Sequence, residues 1–219
     1  MHECVVKDDG ERRFYQNICT PVAIEVWHYP KVQKEVDYAE LCEQDLIENP
    51  QNSLMELQLA IEYEIKENDE KAFTHYQNLI KTKNTLQLFE LARCYSGFGQ
   101  VFQKKNNIPL ALNVYREGRL IDPTFADNYI KSAQIYYNNK EYKKSIELCK
   151  DALRNCPEAF WCSVYDKNSY YIYELLGLSY YLNGDKELGL CYLFIAHTKN
   201  PEDKELQNLV TEITKELTQ

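Results

Sequence analysis

The side chains with the most chemistry to offer in this chain are eight cysteines and four histidines. Their spacing is what decides between metal, redox and packing roles. Cys4, Cys19, Cys42, Cys94, Cys149, Cys156, Cys162 and Cys191 form no C-x-x-C pair and have no neighbouring His pair, so neither a zinc site nor a disulfide framework is indicated. Cys94, Cys149 and Cys191 fall inside predicted helices, where cysteine serves as a small buried hydrophobe. Structural thiols in a reducing compartment follow, and with them a cytoplasmic location. His75 and His197 fall in predicted second helices of helix pairs and carry no evident chemistry. No spacing assembles a Ser-His-Asp or Cys-His constellation, and no Gly-rich phosphate loop is present. The expectation is no catalytic residue, no metal and no cofactor.

Composition narrows the partners. Twenty-five basic and 34 acidic residues leave a formal charge of −9. No basic run is interleaved with aromatics, so nucleic acid and anionic membrane are poor partners. Apolar residues make up 44% and charged residues 27%, as in ordinary soluble domains. With only 7 Gly and 7 Pro, long disordered stretches are disfavoured. No apolar run reaches transmembrane length and no signal peptide is evident. The 18 tyrosines suit positions where a ring packs and a hydroxyl reaches water.

The elements that would position any site come from a repeat. Asp122-Pro123, Cys156-Pro157 and Asn200-Pro201 punctuate the second half, the first two prolines lying 34 residues apart. Counting back from Pro123 gives Tyr95, Phe98, Gly99 and Phe102, then Ala111, Tyr115 and Gly118. Before Pro157 stand Tyr129, Ser132, Ala133, Tyr136, Ser145, Cys149 and Ala152. Before Pro201 stand Tyr173, Leu176, Gly177, Tyr180, Gly189, Leu193 and Ala196. A more degenerate copy holds Leu59, Ala60, Tyr63, Ala72, Tyr76 and Leu79. Small residues at these places let two helix backbones approach, and the aromatics fill the space around the contact. Predicted helix pairs are 53–66 with 69–81, 86–104 with 107–121, 125–138 with 141–154, and 169–182 with 185–198, with Asp69 as a cap. A helix over 34–48 precedes them, with Val36, Ala39, Leu41, Cys42 and Leu46 on one side. A helix over 202–217 closes the array, its apolar face being Leu206, Leu209, Val210, Ile213 and Leu217. The link 158–167 carries Phe160, Trp161 and Tyr165 and is expected to fold back onto the array.

This 34-residue pattern resembles the tetratricopeptide repeat. The resemblance implies an all-α, right-handed superhelix of antiparallel helix pairs over residues 34–219. The repeats would lie at about 53–84, 92–123, 126–157 and 170–201, with a capping helix at 202–217. It also implies a protein- or peptide-binding concave face built from the first helix of each pair. Carried onto this chain, the groove positions are Arg93, Gln100, Gln103, Asp127, Gln134, Tyr137, Asn138, Tyr171, Glu174 and Tyr181. The family's chaperone-tail binders use Lys and Asn there to grip a terminal carboxylate. Asp127 and Glu174 depart from such a basic clamp.

Residues 1–33 read differently, as the end of an upstream domain. Cys4–Lys7 and Pro21–Trp27 read as short strands about an Asp9-Gly10 turn, two strands being too few to stand alone. His2-Glu3, this hairpin, Val26-Trp27-His28-Tyr29-Pro30 and a helix ending Glu48-Asn49-Pro50 are together similar to a junction in bacterial family 2 glycosyltransferases. In those enzymes it joins the catalytic domain to a C-terminal repeat region. That resemblance implies a non-catalytic region used for acceptor binding or assembly. The metal-binding and nucleotide-binding parts of such enzymes have no counterpart here, so no transferase activity is expected of this chain. The alternatives are a free-standing adaptor, or a homodimer paired through an exposed strand edge at 21–27.

Overall fold

A computed structural model of the chain describes residues 15–16, 25–26, 37–82, 86–156 and 170–218. It separates into two units, Met1–Asp37 and Tyr38–Gln219. In the first, Tyr15–Gln16 (β1) pairs antiparallel with Glu25–Val26 (β2). The expected strand at Cys4–Lys7, the Asp9-Gly10 turn and the aromatic link 158–167 lie outside the described residues.

The second unit is helical throughout its described residues. Tyr38–Glu48 (α1) leads into four pairs: Ser53–Ile65 (α2) with Asp69–Lys81 (α3), Leu88–Lys104 (α4) with Ile108–Ile121 (α5), Asp127–Asn138 (α6) with Tyr142–Asn155 (α7), and Tyr171–Asn183 (α8) with Lys186–Lys199 (α9). Lys204–Leu217 (α10) closes the array. Each helix packs on the next in chain order, and the first helices α2, α4, α6 and α8 also touch in succession. They therefore form one continuous layer.

The repeat markers lie where the spacing puts them. Ala60, Ala72, Ala111, Ala133, Ala152 and Ala196 are fully covered, as are Tyr76, Tyr115, Cys149 and Leu193. Registration between repeats is direct: the Ser179 hydroxyl donates to the Ser145 hydroxyl at 3.0 Å, 34 residues away. In α10, Leu206, Val210 and Ile213 are buried while Glu205, Glu212 and Lys215 stay exposed. A terminal helix with one wet face is what a stacked array needs at its end.

The turn inside every pair uses one device. Glu67, Asn106, Lys140 and Gly184 all have positive φ, between 57° and 102°. The next amide in each case reaches back five residues: Asn68 to Tyr63, Asn107 to Phe102, Glu141 to Tyr136 and Asp185 to Tyr180. This Schellman closure satisfies carbonyls that a helix end leaves open. The following helix starts at once. Asn68, not Asp69, caps α3, its side chain accepting from the Lys71 amide, and Asn107 does the same for Leu110 in α5. Asp69 already has helical geometry, so the left-handed residue before Asn68 fixes the cap one position earlier than expected.

Two apolar assignments need correcting. Leu41 is half exposed, because Ala39, Cys42 and Leu46 take the inner side of α1. Cys191 is exposed, because Gly189 and Leu193, one turn apart, claim the inner face of α9. Among the described residues no helix is long and apolar enough to cross a membrane.

Candidate functional site

The layer α2–α4–α6–α8 carries the ten residues assigned to the groove, and the structure divides them. Gln100 and Gln103 on α4 and Gln134 on α6 line one cleft of about 350 Å³, together with Lys104 and Lys131. The two lysines are not among the ten. A signal for Lys131 exists in the sequence: Asp127, Lys131, Gln134 and Asn138 follow at intervals of four, three and four, which is one face of a helix.

Lys131 lies at the base of this cleft, 8% exposed. Its Nζ donates to Gln100 Oε1 at 2.5 Å. Burial pulls its pKa down, and the carboxylates of Asp127 and Glu64 oppose that pull, while Arg93 and Lys104 add to it. Gln103 is held from the other side, its Oε1 accepting from the Tyr115 hydroxyl at 3.1 Å. Lys104 is tied to Asp69 at 2.9 Å. Arg93 and Asn138 are exposed, and Asp127 is buried.

The remaining positions form a second group around α6 and α8. Tyr137 and Tyr171 pack against the third-repeat core, Tyr137 meeting Tyr142 edge-on with ring centroids 5.8 Å apart. Burial raises the Tyr137 pKa, with Tyr142 and Glu174 adding to it. Glu174 is itself shifted upward by burial and by Asp203 and Glu205. Tyr181 does not join this group. It donates to Glu216 on α10 and packs in the C-terminal cluster, so its work is to seat the closing helix. The reason is positional: the element after α8–α9 is α10, which occupies the place a further first helix would take.

Among the described residues no group of three His, Cys, Asp or Glu side chains is placed to hold a metal ion. The arrangement offers side-chain amides, a buried ammonium and tyrosines on one layer of helices.

The architecture is the tetratricopeptide-type helical repeat. Among solved structures, that of Pseudomonas aeruginosa pilF matches with a TM-score of 0.61 at 17% identity, covering 76% of this chain and 69% of that one. TTC0263, a thermophilic TPR protein of Thermus thermophilus, matches at 0.55 and 19%, covering 80% and 88%. MamA (residue 41 to the end) from Desulfovibrio magneticus RS-1 matches at 0.58 and 13%, covering 83% and 86%. At these identities the likeness is one of fold. No family model and no curated protein matches the sequence.

Proposed function

We propose that the chain is a protein-interaction scaffold whose inner helical layer holds an extended segment of a partner protein. The observation that carries this reading is the polar cleft between α4 and α6, lined by three glutamines and two lysines. Such a cleft, with a buried ammonium at its base, suits the amides and carbonyls of a peptide better than an apolar ligand. The test is a pull-down from native lysate with wild-type protein and with Gln134→Ala/Tyr137→Ala. Loss of a specific partner by the variant is expected. Equal recovery of every partner by both forms would remove the inner layer from consideration. Buried thiols at Cys42, Cys94, Cys149 and Cys156 support a reducing, cytoplasmic setting.

A second reading rests on the sequence of the first 50 residues and its similarity to the glycosyltransferase junction. On that reading the array holds a glycosyl acceptor or pairs two subunits. The mass of the native gene product decides it: a product no longer than this chain leaves the reading without a catalytic partner in cis. Light scattering across a concentration range tests pairing, and a concentration-independent monomer ends it.

A further inference from the structure

The second helices differ on their outward side. Their buried small residues Ala72, Ala111, Ser145 and Gly189 set a common register. In that register α9 has Leu188, Cys191, Phe194 and Ile195 where α7 has Lys144, Glu147, Lys150 and Asp151. α3 has Lys71, Thr74, Gln77 and Asn78 there, and α5 is polar at all but Leu110. On α9, Leu188, Phe194 and Ile195 are 38–45% exposed, and Cys191 is exposed with them. Closing the array does not require this stripe, because the C-terminal cluster with α10 takes Leu190, Leu193 and Ala196 instead.

The helix beside the stripe supplies charge. α7 and α9 both pack on α8. Tyr192 of α9 joins the third-repeat core, while Leu190 joins the C-terminal cluster. One side of a second helix thus faces the repeat before it, and the other side the repeat after it. By the same phase, Ile146 and Leu153 stand on the side of α7 toward α9. Lys143 and Lys150 neighbour Ile146 one turn either way, as Leu188 and Ile195 neighbour Tyr192. The outer strip between the two helices therefore has a basic edge on α7 and an apolar edge on α9, with half-buried Leu153 and Tyr192 below. Each edge runs about 10 Å. Lys144 and Arg154 are paired with Glu141 and Asp151. Among the described residues Lys143 and Lys150 have no acidic partner; Glu147, between them, turns to the side away from α9 and bonds neither.

We propose that this outer strip docks an amphipathic helix of a partner protein, one with an apolar seam and acidic residues along one flank. Residues 188, 191 and 195 follow at intervals of three and four, the spacing of a helix–helix seam. The lysine edge at the same height selects an acidic flank over a basic one. A second copy of the chain serves less well. A two-fold pairing of α9 either brings the α7 lysines of both copies together or aligns the two helix dipoles. The strip lies on second helices, so this docking and the peptide-binding reading of the inner layer stand or fall separately.

The test reads fluorescence anisotropy of three labelled, end-blocked peptides of about 18 residues. The first has leucines at intervals of three and four and glutamates along one flank. The second has lysines for those glutamates, and the third has the first's composition in an order that breaks the seam. The first is expected to bind saturably and about tenfold more tightly than either of the others. Leu188→Lys, Cys191→Glu, Phe194→Lys and Ile195→Asp together give α9 the outward residues of α7. That variant is expected to keep its helical circular dichroism and to lose about tenfold or more in affinity. Lys143→Glu with Lys150→Glu is expected to reverse the preference between the first two peptides, and this reversal decides the matter should the fourfold variant fail to fold. Gln134→Ala/Tyr137→Ala is expected to bind the first peptide as the wild type does. Equal binding of all three peptides, no binding at about 1 mM, an unreversed preference, or loss of binding in Gln134→Ala/Tyr137→Ala overturns the proposal. So does a wild-type dimer that the fourfold variant dissolves, which would give the face to a second copy. Protection of Cys191 from a maleimide in the free protein, read by peptide mapping, would show the strip already covered and overturn it as well.

Discussion

The crossing of α8 and α9 gives the severest test of the packing argument, because there backbone meets backbone. A methyl group added at Gly177 would lie 2.8 Å from Leu193 Cγ, 2.9 Å from the Gly189 carbonyl oxygen and 3.0 Å from the Leu193 amide nitrogen. One added at Gly189 would lie 2.7 Å from the Tyr181 amide nitrogen and 2.8 Å from the Gly177 carbonyl oxygen. Comfortable contacts need about 3.5 Å or more, and no rotamer change can move a backbone atom. The helices must separate, and Leu193, now fully buried, loses part of its packing. Gly177→Ala gains about 1 kcal/mol in helix propensity and loses about 3 kcal/mol to overpacking against rigid neighbours. The net is a local destabilisation of about 2 kcal/mol.

Hydrogen exchange read by mass spectrometry localises that loss. Since 1.4 kcal/mol is tenfold in an equilibrium, amides of α8, α9 and α10 should exchange about 30-fold faster in Gly177→Ala. Those of α4 and α5 should be unchanged, because repeats couple to their neighbours. Gly189→Ala should behave alike. The double variant should cost well under the sum, since one separation relieves both clashes. Slower exchange across α8–α10 in Gly177→Ala would mean that propensity alone acts there, and the close crossing would be refuted.

Two further outcomes follow from the turns and the buried thiols. Glu67→Gly and Lys140→Gly, at the positive-φ turn positions where the fourth pair already has Gly184, should each stabilise the array by about 0.5–1 kcal/mol, read as a higher midpoint in urea; an unchanged or lower midpoint would deny the strain. Burial raises the thiols of Cys149 and Cys156 from 9.0 to about 12, and Cys94 and Tyr76 are raised by the same cause. The folded state thus keeps protons that the unfolded chain gives up, so stability present below pH 9 is lost as the pH climbs toward 12, by roughly 1 kcal/mol per thiol at pH 10. Lys131, shifted downward, acts in the opposite sense. Cys149→Ala/Cys156→Ala should therefore shrink the loss between pH 8 and pH 10 by roughly 2 kcal/mol in urea titrations at each pH, and an undiminished loss would show those thiols to be solvated.

The helix pairs were legible because their determinants are local or strictly periodic. Gly99, Ala111 and Gly118 stand 12 and 7 residues apart, and the same two spacings recur at 60/72/79, 133/145/152 and 177/189/196, as stacking like units requires. Even the degenerate first copy, Leu59, Ala60, Tyr63, Ala72, Tyr76 and Leu79, is buried at every marker. Helix starts were less legible. Asp69 and Asn68 are both good caps by residue type, and the choice was made by a left-handed Glu67, which residue type argues against. Cys191 failed for a related reason: on a helix apolar on most sides, including exposed Leu188, Phe194 and Ile195, residue type does not say which side is in.

The site shows where periodic reading stops. Position along a first helix was enough to place Gln100, Gln103 and Gln134 in one cleft, because the helix phase sets which way a side chain leaves the backbone. It was not enough to say which end of the Gln100 and Gln103 amides would be held. That is set by Tyr115, which belongs to the second helix of the same pair, and by Lys131, which belongs to the next repeat. The chemistry the cleft presents thus depends on one contact within a repeat, Tyr115 to Gln103, and on one across repeats, Lys131 to Gln100. Arrays with the same markers can accordingly present donors or acceptors at the same first-helix position, and a likeness at 13–19% identity is one of fold, with no ligand attached to it.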